Sequence, residues 1–525
     1  MRQTGTVNDY LELLDAVKNV ATSNHVATVA INNAGTGYVA GDVLTVVGGT
    51  FTYPATILVL TTTGSPGPIA SARVQNGGAY TVNPSLTGNA VTGGTGSSAT
   101  MNLTIASTGW TKRRATQQAV SATVAAGGTG YSVGNDLTVV GGVGVGIAAV
   151  FNVDTISGGA VTGVSLLTAG NYQAVPTNPV VTTVAPLGGT GATLNVTWAD
   201  ASSTAERCLI LEGNGGASET IFVGFQTYQT SDVSTFNVCY NWSCHGFTGF
   251  NNALTFASQV GISPGLPAGV VSTTTGAFMP LKTSTAFDID FWFYFTNRRL
   301  IIVAKVANGI ITHYISGYFG YMNPFGTSIE SPYPLLIGAS SSRHNTLFSD
   351  TEPRITGIGE VMGISGRTGP MWYWGNDSVW HEIKNSSATD TGSISRTSSN
   401  DYIAYPGAKP NTSLAATEDQ VIADGSGFDW IDIIPNSGIP GTPLLKLQDT
   451  PMTGGNLKLL VPVTIIASEA SDLEVVGELD DVFWFSGVGG VTSESTFAEG
   501  LELFRVFQNG NRAQEFSLFA VRETF

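Results

Sequence analysis

Apolar residues follow a helical rhythm at one place near the start of the chain: Tyr10, Leu13, Leu14, Val17 and Ala21 recur at three- and four-residue intervals and predict a helix over residues 8–22. Thr6 and Asp9 stand where side-chain oxygens can accept from its first-turn amides. From Val26 the pattern changes to short runs of alternating apolar and polar residues separated by glycine, which is the signature of strands and turns. The helix therefore needs a partner for its apolar stripe from elsewhere in the chain.

The strand region repeats itself. Gly35-Thr36-Gly37-Tyr38 through Leu44-Thr45-Val46-Val47-Gly48-Gly49 returns as Gly128-Thr129-Gly130-Tyr131 through Leu137-Thr138-Val139-Val140-Gly141-Gly142, with eleven of fifteen positions identical. Gly94-Thr95-Gly96 is answered by Gly189-Thr190-Gly191, and the offset stays between 92 and 95 residues. The chain is accordingly read as two copies of one module, at 24–106 and 119–199. Each has an internal half-repeat, because Tyr38 to Tyr80 spans 42 residues and Tyr131 to Tyr172 spans 41. Glycines in these turns can take positive φ, and each tyrosine can lay its ring over a thin core; packing is the simpler role than a ligand platform.

Residues 107–118, with Trp110 and Lys112-Arg113-Arg114, belong to neither copy and read as one bridging strand. Strands resume at Glu206–Leu211 and Thr220–Phe225. The pattern predicts nested insertion: residues 1–23, 107–118 and 200–525 make one body, and each module sits in a loop of it. Within that body Phe287–Phe295, a turn at Thr296–Arg299 and Leu300–Val306 read as a hairpin whose fully apolar second arm is central. Residues 385–412, rich in Ser, Thr, Asn and Asp, read as a long loop, with strands returning at Leu457–Ile466, Val482–Phe485 and Phe516–Val521.

Composition sharpens this picture. The 525 residues exceed the roughly 250–300 at which one core stops growing, so several domains are expected. With 65 glycines and only 11% charged residues, the expected class is mainly β: a multidomain sandwich- or barrel-like body with one N-terminal helix and two small Gly-rich inserts. The net charge of −16 disfavours nucleic acid as a partner, and the basic run at 112–114 reads as a solvated strand face. Three cysteines cannot form a disulfide framework, the start lacks a signal-peptide h-region, and no apolar stretch reaches the ~20 residues that span a bilayer. A soluble chain without membrane contact is expected.

Candidate chemistry is sparse. Cys239, Cys244 and His245 suggest a fragment of a metal site, but zinc wants four ligands, and adjacent strand residues such as Cys244 and His245 point to opposite faces. Asp288 and Asp290 share a strand face and could pair with a distant acid in glycoside hydrolysis; a polar face alternating with Phe287, Ile289 and Phe291 is the simpler reading. Asp480-Asp481 after Glu478 reads as a charged turn. Gly357, Gly359 and Gly363 miss dinucleotide spacing, Ser365 lacks a Gly-x-Ser-x-Gly frame, and Asp42, Asn135 and Asp136 offer only a weak cation site. No catalytic, cofactor-binding or metal residue is assigned.

The body carries phrases that resemble a family of tailed-bacteriophage virion proteins. They are Thr220–Tyr228, Gly246-Phe247-Thr248-Gly249-Phe250, Ser263-Pro264-Gly265, the hairpin from Phe291 to Val306, Ser331–Gly338 and Arg505-Val506-Phe507-Gln508-Asn509. The helix and Gly109-Trp110-Thr111 are similar to that family's start, and the modules resemble Gly-Thr-Gly-Tyr repeats of phage structural proteins. The resemblance implies a late-expressed, non-enzymatic particle component of the tail, baseplate or neck, made in the host cytoplasm and resident in the virion. Its expected partners are other virion proteins in a ring or trimer of this chain. A host-receptor adhesin recognising a surface glycan, a capsid decoration protein and a tail-associated polysaccharide depolymerase are the competing readings.

Overall fold

A computed structural model describes residues 1–185, 188–202, 207–214, 220–230, 239–263, 278–283, 288–307, 312–324, 335–337, 371–374, 380–385, 401–405, 458–469, 472–487, 493–499, 502–508 and 518–523. The fold is multidomain and mainly β, with one α-helix. The chain opens with β1 (Arg2–Val7) and α1 (Tyr10–Thr22). Asp9 caps the helix by accepting from Glu12 N at 2.8 Å, and the Glu12 carboxylate reaches back to Asn8 N, just ahead of the cap, at 2.8 Å, so one first-turn donor and one preceding donor are satisfied reciprocally. Thr6 does not take part in the cap. It lies in β1 and its hydroxyl donates to Asp290. All five residues of the predicted stripe are buried, together with Ala16 and Val20.

The first repeat contains β2 (Asn24–Thr36), β3 (Val43–Val46), β4 (Thr50–Tyr53), β5 (Thr56–Thr62), β6 (Ile69–Asn76), β7 (Ala79–Val82), β8 (Asn89–Thr92) and β9 (Ser97–Ser107). After β10 (Trp110–Ala115), the second contains β11 (Gln117–Thr129), β12 (Asp136–Val139), β13 (Val150–Ser157), β14 (Ala160–Thr168), β15 (Val180–Ala185) and β16 (Thr190–Asp200). Six strands run β2-β9-β8-β3-β5-β6 in one copy and β11-β16-β15-β12-β13-β14 in the other, and the last strand of each row curls back beside the first. The two copies thus make the same near-closed barrel, each around its own core. Each begins and ends on one antiparallel pair, Asn24 opposite Ser107 and Gln117 opposite Asp200.

The repeated glycines and tyrosines form clasps. Tyr131 is 3% exposed and its ring stands between Gly128 and Gly189, where a Cβ on either glycine would collide with it. Its hydroxyl accepts from Ala192 N at 3.0 Å. Tyr172 sits in the same way against Gly142 and Gly170, its hydroxyl accepting from Ala149 N at 2.7 Å. In the first copy Tyr38 lies against Gly35 and Gly96, and Tyr80 against Gly49 and Gly78. The half-repeat is therefore two ring-and-glycine clasps per barrel, and in three of the four the hydroxyl satisfies a buried backbone amide.

The body adds β17 (Arg207–Asn214), β18 (Thr220–Thr230), β19 (Cys239–Phe247), β20 (Phe278–Thr283), β21 (Ile289–Phe295), β22 (Arg299–Ala307) and β23 (Thr312–Tyr321). It continues with β24 (Asn323–Pro324), β25 (Leu335–Ile337), β26 (Met371–Trp374), β27 (Trp380–Asn385), β28 (Asp401–Tyr405), β29 (Lys458–Glu469), β30 (Asp472–Gly487), β31 (Thr496–Glu499), β32 (Glu502–Gln508) and β33 (Leu518–Arg522). β28 falls inside the segment expected to be a loop and pairs in parallel with β27. One sheet runs β10-β17-β18-β19-β20. The largest runs β1-β21-β22-β23-β25-β26-β27-β28-β29-β30-β33-β32-β31 with β24 against β30.

The β21–β22 hairpin is buried on both faces. Ile289, Phe291, Phe293, Phe295, Leu300, Ile302 and Ala304 join α1, Leu209, Leu211, Val223 and Phe225 in one core. On the opposite face, Trp292 packs edge-on against Phe507, with ring centroids 5.2 Å apart, and the Tyr294 hydroxyl meets Glu523 at 3.3 Å. The helix finds most of its partners in this core, to which the adjacent repeat contributes only Ala79 and the partly buried Tyr53. Two ionic clusters close the hairpin's second face. Glu523, whose side chain is fully buried, pairs with Arg2 at 3.0 Å and Arg505 at 2.5 Å. Arg299, also fully buried, pairs with Asp480 at 3.1 Å and with Asp481, which in turn meets Arg522. Asp480-Asp481 is therefore not a turn: it lies inside β30, with Asp481 at φ 62°, and its charge answers a buried arginine of a distant strand of the same large sheet.

Removing the shared carboxylate of the first cluster leaves Arg2 and Arg505 without their buried partner. Glu523→Ala is expected to cost about 3–5 kcal/mol in urea unfolding, whereas Glu502→Gln, in the half-exposed pair with Arg522, should change stability by less than about 1 kcal/mol. For the clasps, Gly189→Ala combines φ +71° with a collision against Tyr131 and should lose about 2–5 kcal/mol. Gly134→Ala, at φ +87° with open space around it, should lose only about 1–2 kcal/mol; equal losses would show that the ring contact does not matter.

Candidate interaction surface

Strand parity separates the suggested metal fragment. Cys244 points into the core shared with α1, while His245, on the other face of β19, packs edge-on to Phe256 at 5.7 Å. Cys239 opens the same strand, and its side chain lies outside the described residues. Cys208 is buried too, and burial pushes its thiol up from the ordinary range. Among the described residues no three His, Cys, Asp or Glu side chains are grouped to hold a metal ion. Nor is any helix among them long and apolar enough to cross a membrane.

The carboxylates flagged by sequence serve local structure. Asp290 accepts from Thr6 Oγ1 at 2.8 Å and lies 4.0 Å from Lys305, while Asp288 is exposed. Asp42 Oδ2 accepts from Val39 N at 3.0 Å, Thr95 N at 3.1 Å and Thr95 Oγ1 at 2.8 Å, which ties the two Gly-Thr-Gly phrases of the first barrel together. Asn135 holds the equivalent turn of the second barrel by accepting from Ser132 N at 2.8 Å, and Asp136 accepts from Asn152 at 3.3 Å. Burial raises the Glu478 carboxyl above its usual range. Gly357, Gly359, Gly363 and Ser365 lie outside the described residues.

The basic run divides. Lys112 pairs with Asp200 at 2.8 Å and Arg113 with Glu212 on the exposed strand face. Arg114, expected to be solvated with them, is 3% exposed. Its guanidinium donates to Leu254 O at 2.6 Å and Asn252 O at 3.0 Å and lies over the Phe250 ring, pinning the 248–263 loop over the outer face of the five-stranded sheet. Alternation along β10 turns this one member of the run inward, and a β-bulge between Lys112 and Arg114 sets the turn.

The described surface of the two barrels is rich in apolar side chains. Among the described residues sixteen large apolar side chains are exposed, and all but Val260 lie on the two barrels: six on the first and nine on the second. Ile147, Leu167, Val133, Val82 and Val181 are each 58–61% exposed. Val140 and Val181 stand side by side, joined by a backbone hydrogen bond of 2.9 Å, and Val47 occupies the position of Val140 in the first copy. Residue type gives no warning of this, because the same valines would suit an inward position; only barrel closure decides which members of each alternation face water.

Two clefts mark where barrels meet body. One, of about 390 Å³, lies between β1, β2 and β6 and is lined by Arg2, His25, Arg73 and Glu523 among others. The second, of about 200 Å³, lies between the second barrel and β17–β18 and includes Gln173, Arg207 and Cys208. A comparison with protein-family models and with curated proteins finds no match to this chain.

The hydrogen bonds to Asp42, Val39 N–H foremost, hold its carboxyl below the ordinary aspartate range against the opposing effect of desolvation. A depressed native value means that the stabilisation is complete above the unfolded value near 4 and is lost as pH falls through the native one. The difference in unfolding midpoint between wild type and Asp42→Asn should therefore stay constant from about pH 7 to about pH 5 and shrink below about pH 4. A difference unchanged at lower pH would mean that charge is not what the clasp uses.

Proposed function

We propose that this chain is a non-enzymatic structural component of a tailed-bacteriophage particle, in the tail, baseplate or neck, and that its two barrels present the surfaces through which it meets neighbouring subunits. The phage assignment rests on the phrases of the body that resemble virion proteins. The role of the barrels rests on one observation: fifteen of the sixteen exposed large apolar side chains among the described residues are on them. Scattered exposed apolar residues are ordinary on a soluble surface, but those of the barrels are numerous and some adjoin, as Val140 and Val181 do, which supports reading the barrels as contact surfaces. The same distribution would serve host-binding heads on an assembled ring or trimer.

Deleting residues 24–106 and 119–199 distinguishes the two roles. Loss of assembly on deletion supports subunit contact; assembly that persists while adsorption to host cells fails supports recognition heads. The milder double substitution Val140→Lys with Val181→Lys should reduce self-association in sedimentation experiments while leaving the unfolding midpoint unchanged. Absence of the protein from purified particles would remove the phage assignment altogether.

A further inference from the structure

The geometry points to a binding site, in the cleft between β1 and the first barrel, for a small ligand of about monosaccharide size that carries a carboxylate or phosphate group. This inference is independent of the particle role proposed above.

Among the described residues the cleft carries more guanidinium than carboxylate. Arg2, 8% exposed, lines it together with the half-buried Arg73, and Arg505 stands behind on the same carboxylate. Glu523 is the one carboxylate in the lining, and both its oxygens are engaged: Oε2 by Arg2 at 3.0 Å, Oε1 by Arg505 at 2.5 Å and by the Tyr294 hydroxyl at 3.3 Å. Three guanidiniums thus surround one carboxylate, and Arg73 has no ion-pair partner among the described residues. In a chain of net charge −16 this is a local reversal of sign.

The neighbouring groups fit a ligand's anionic end. His25 and Arg2 are 7% and 8% exposed, and His25 Nδ1 and Arg2 Nε lie behind the cleft wall without a hydrogen-bond partner, which leaves the outer nitrogens of both side chains to meet a ligand. Burial pushes the imidazole down to about 4, so at neutral pH it offers one N–H without adding charge, and desolvation lowers Arg2 and Arg73 as well. An oxyanion in the cleft would offset that desolvation, and guanidiniums grip carboxylate and phosphate through paired N–H donors. A volume of about 390 Å³ exceeds the need of a bare ion and falls in the range of small-molecule sites. Val29 and Val74 supply apolar wall, and Thr28 and Gln75 supply polar groups at the sides.

The cleft at the second barrel shows the contrast. Its Arg207 donates to Ala201 O at 2.7 Å and Leu11 O at 2.7 Å and pairs with Asp15 at 2.9 Å, so its guanidinium is already satisfied. The duplication reproduced the barrel, but of these two clefts the one with the unpaired cation lies where the first copy meets β1.

Isothermal titration of the full chain with glucuronate, glucose 6-phosphate, inorganic phosphate and glucose tests the site. Saturable binding of glucuronate, glucose 6-phosphate or both, with none of glucose, is the expected result, and the sugar that binds identifies carboxylate or phosphate as the source. Arg73→Gln should weaken that binding at least tenfold with the unfolding midpoint unchanged. Thr28→Trp, which fills the cleft from an exposed position and leaves every cation in place, should do the same. The proposal is overturned if neither charged sugar binds, if inorganic phosphate binds as tightly as the sugars, or if both variants bind within twofold of wild type.

Discussion

Burial of the β21–β22 hairpin on both faces is the constraint around which the body is arranged. A strand pair with apolar side chains above and below cannot be an outer layer, because either face left in water would expose Phe291 and Phe293 or Trp292 and Ile301. Each such side chain contributes about 1.5–3 kcal/mol on burial, so two covering layers are required. On one side α1 and the five-stranded sheet supply them; on the other, β30, β32 and β33 do. The first strand, β1, completes the edge by pairing with β21 from Arg2 opposite Tyr294 to Val7 opposite Ile289. The course of the large sheet accommodates this demand, since its β30-β33-β32 end returns to cover the β21–β22 end.

Such an interior forces charge into places where water cannot reach. Arg299 begins the second arm of the hairpin and has no route to the surface, and Glu523 follows the last strand into the same layer. Buried ion pairs of this kind add little net stability compared with apolar residues of similar volume, but losing one partner is costly. Their arrangement ties β22 to β30 and β33 at one place, and β1 to β32 and the segment after β33 at another. The alternative registers of a large apolar sheet would strand an unpaired charge, so the pairs select one alignment.

Much of this was legible in the chain. The helix follows from five apolar positions and a cap, the central hairpin from an uninterrupted apolar arm, and the separation of Cys244 from His245 from strand parity alone. The parts that escaped depend on which face a residue meets after distant segments come together. Asp480-Asp481 has the local look of a turn, and only the buried Arg299, 181 residues away, explains charge inside a strand. Arg114 is indistinguishable from its two neighbours until a loop near residue 254 lies over it. The cationic cleft draws on residues 2, 25, 73 and 523, which no window along the sequence brings together.

The repeats divide the labour of the molecule. Glycine and tyrosine in each clasp are needed because the barrel wall must pass close over an aromatic ring, and that requirement is met by residues within the copy itself. A barrel that carries its own core and enters and leaves through a single strand pair asks little of its host beyond a loop of suitable width. Its outward positions are then released from the packing that fixes the body, and valine, leucine and isoleucine occupy many of them. The central β21–β22 hairpin, by contrast, has almost no freedom in its residues, since it is covered on both faces. Surface identity can therefore change on the barrels without disturbing the layered interior, and barrel and body are coupled at seams such as that at β1, where a barrel strand, the first strand and the Glu523 carboxylate meet.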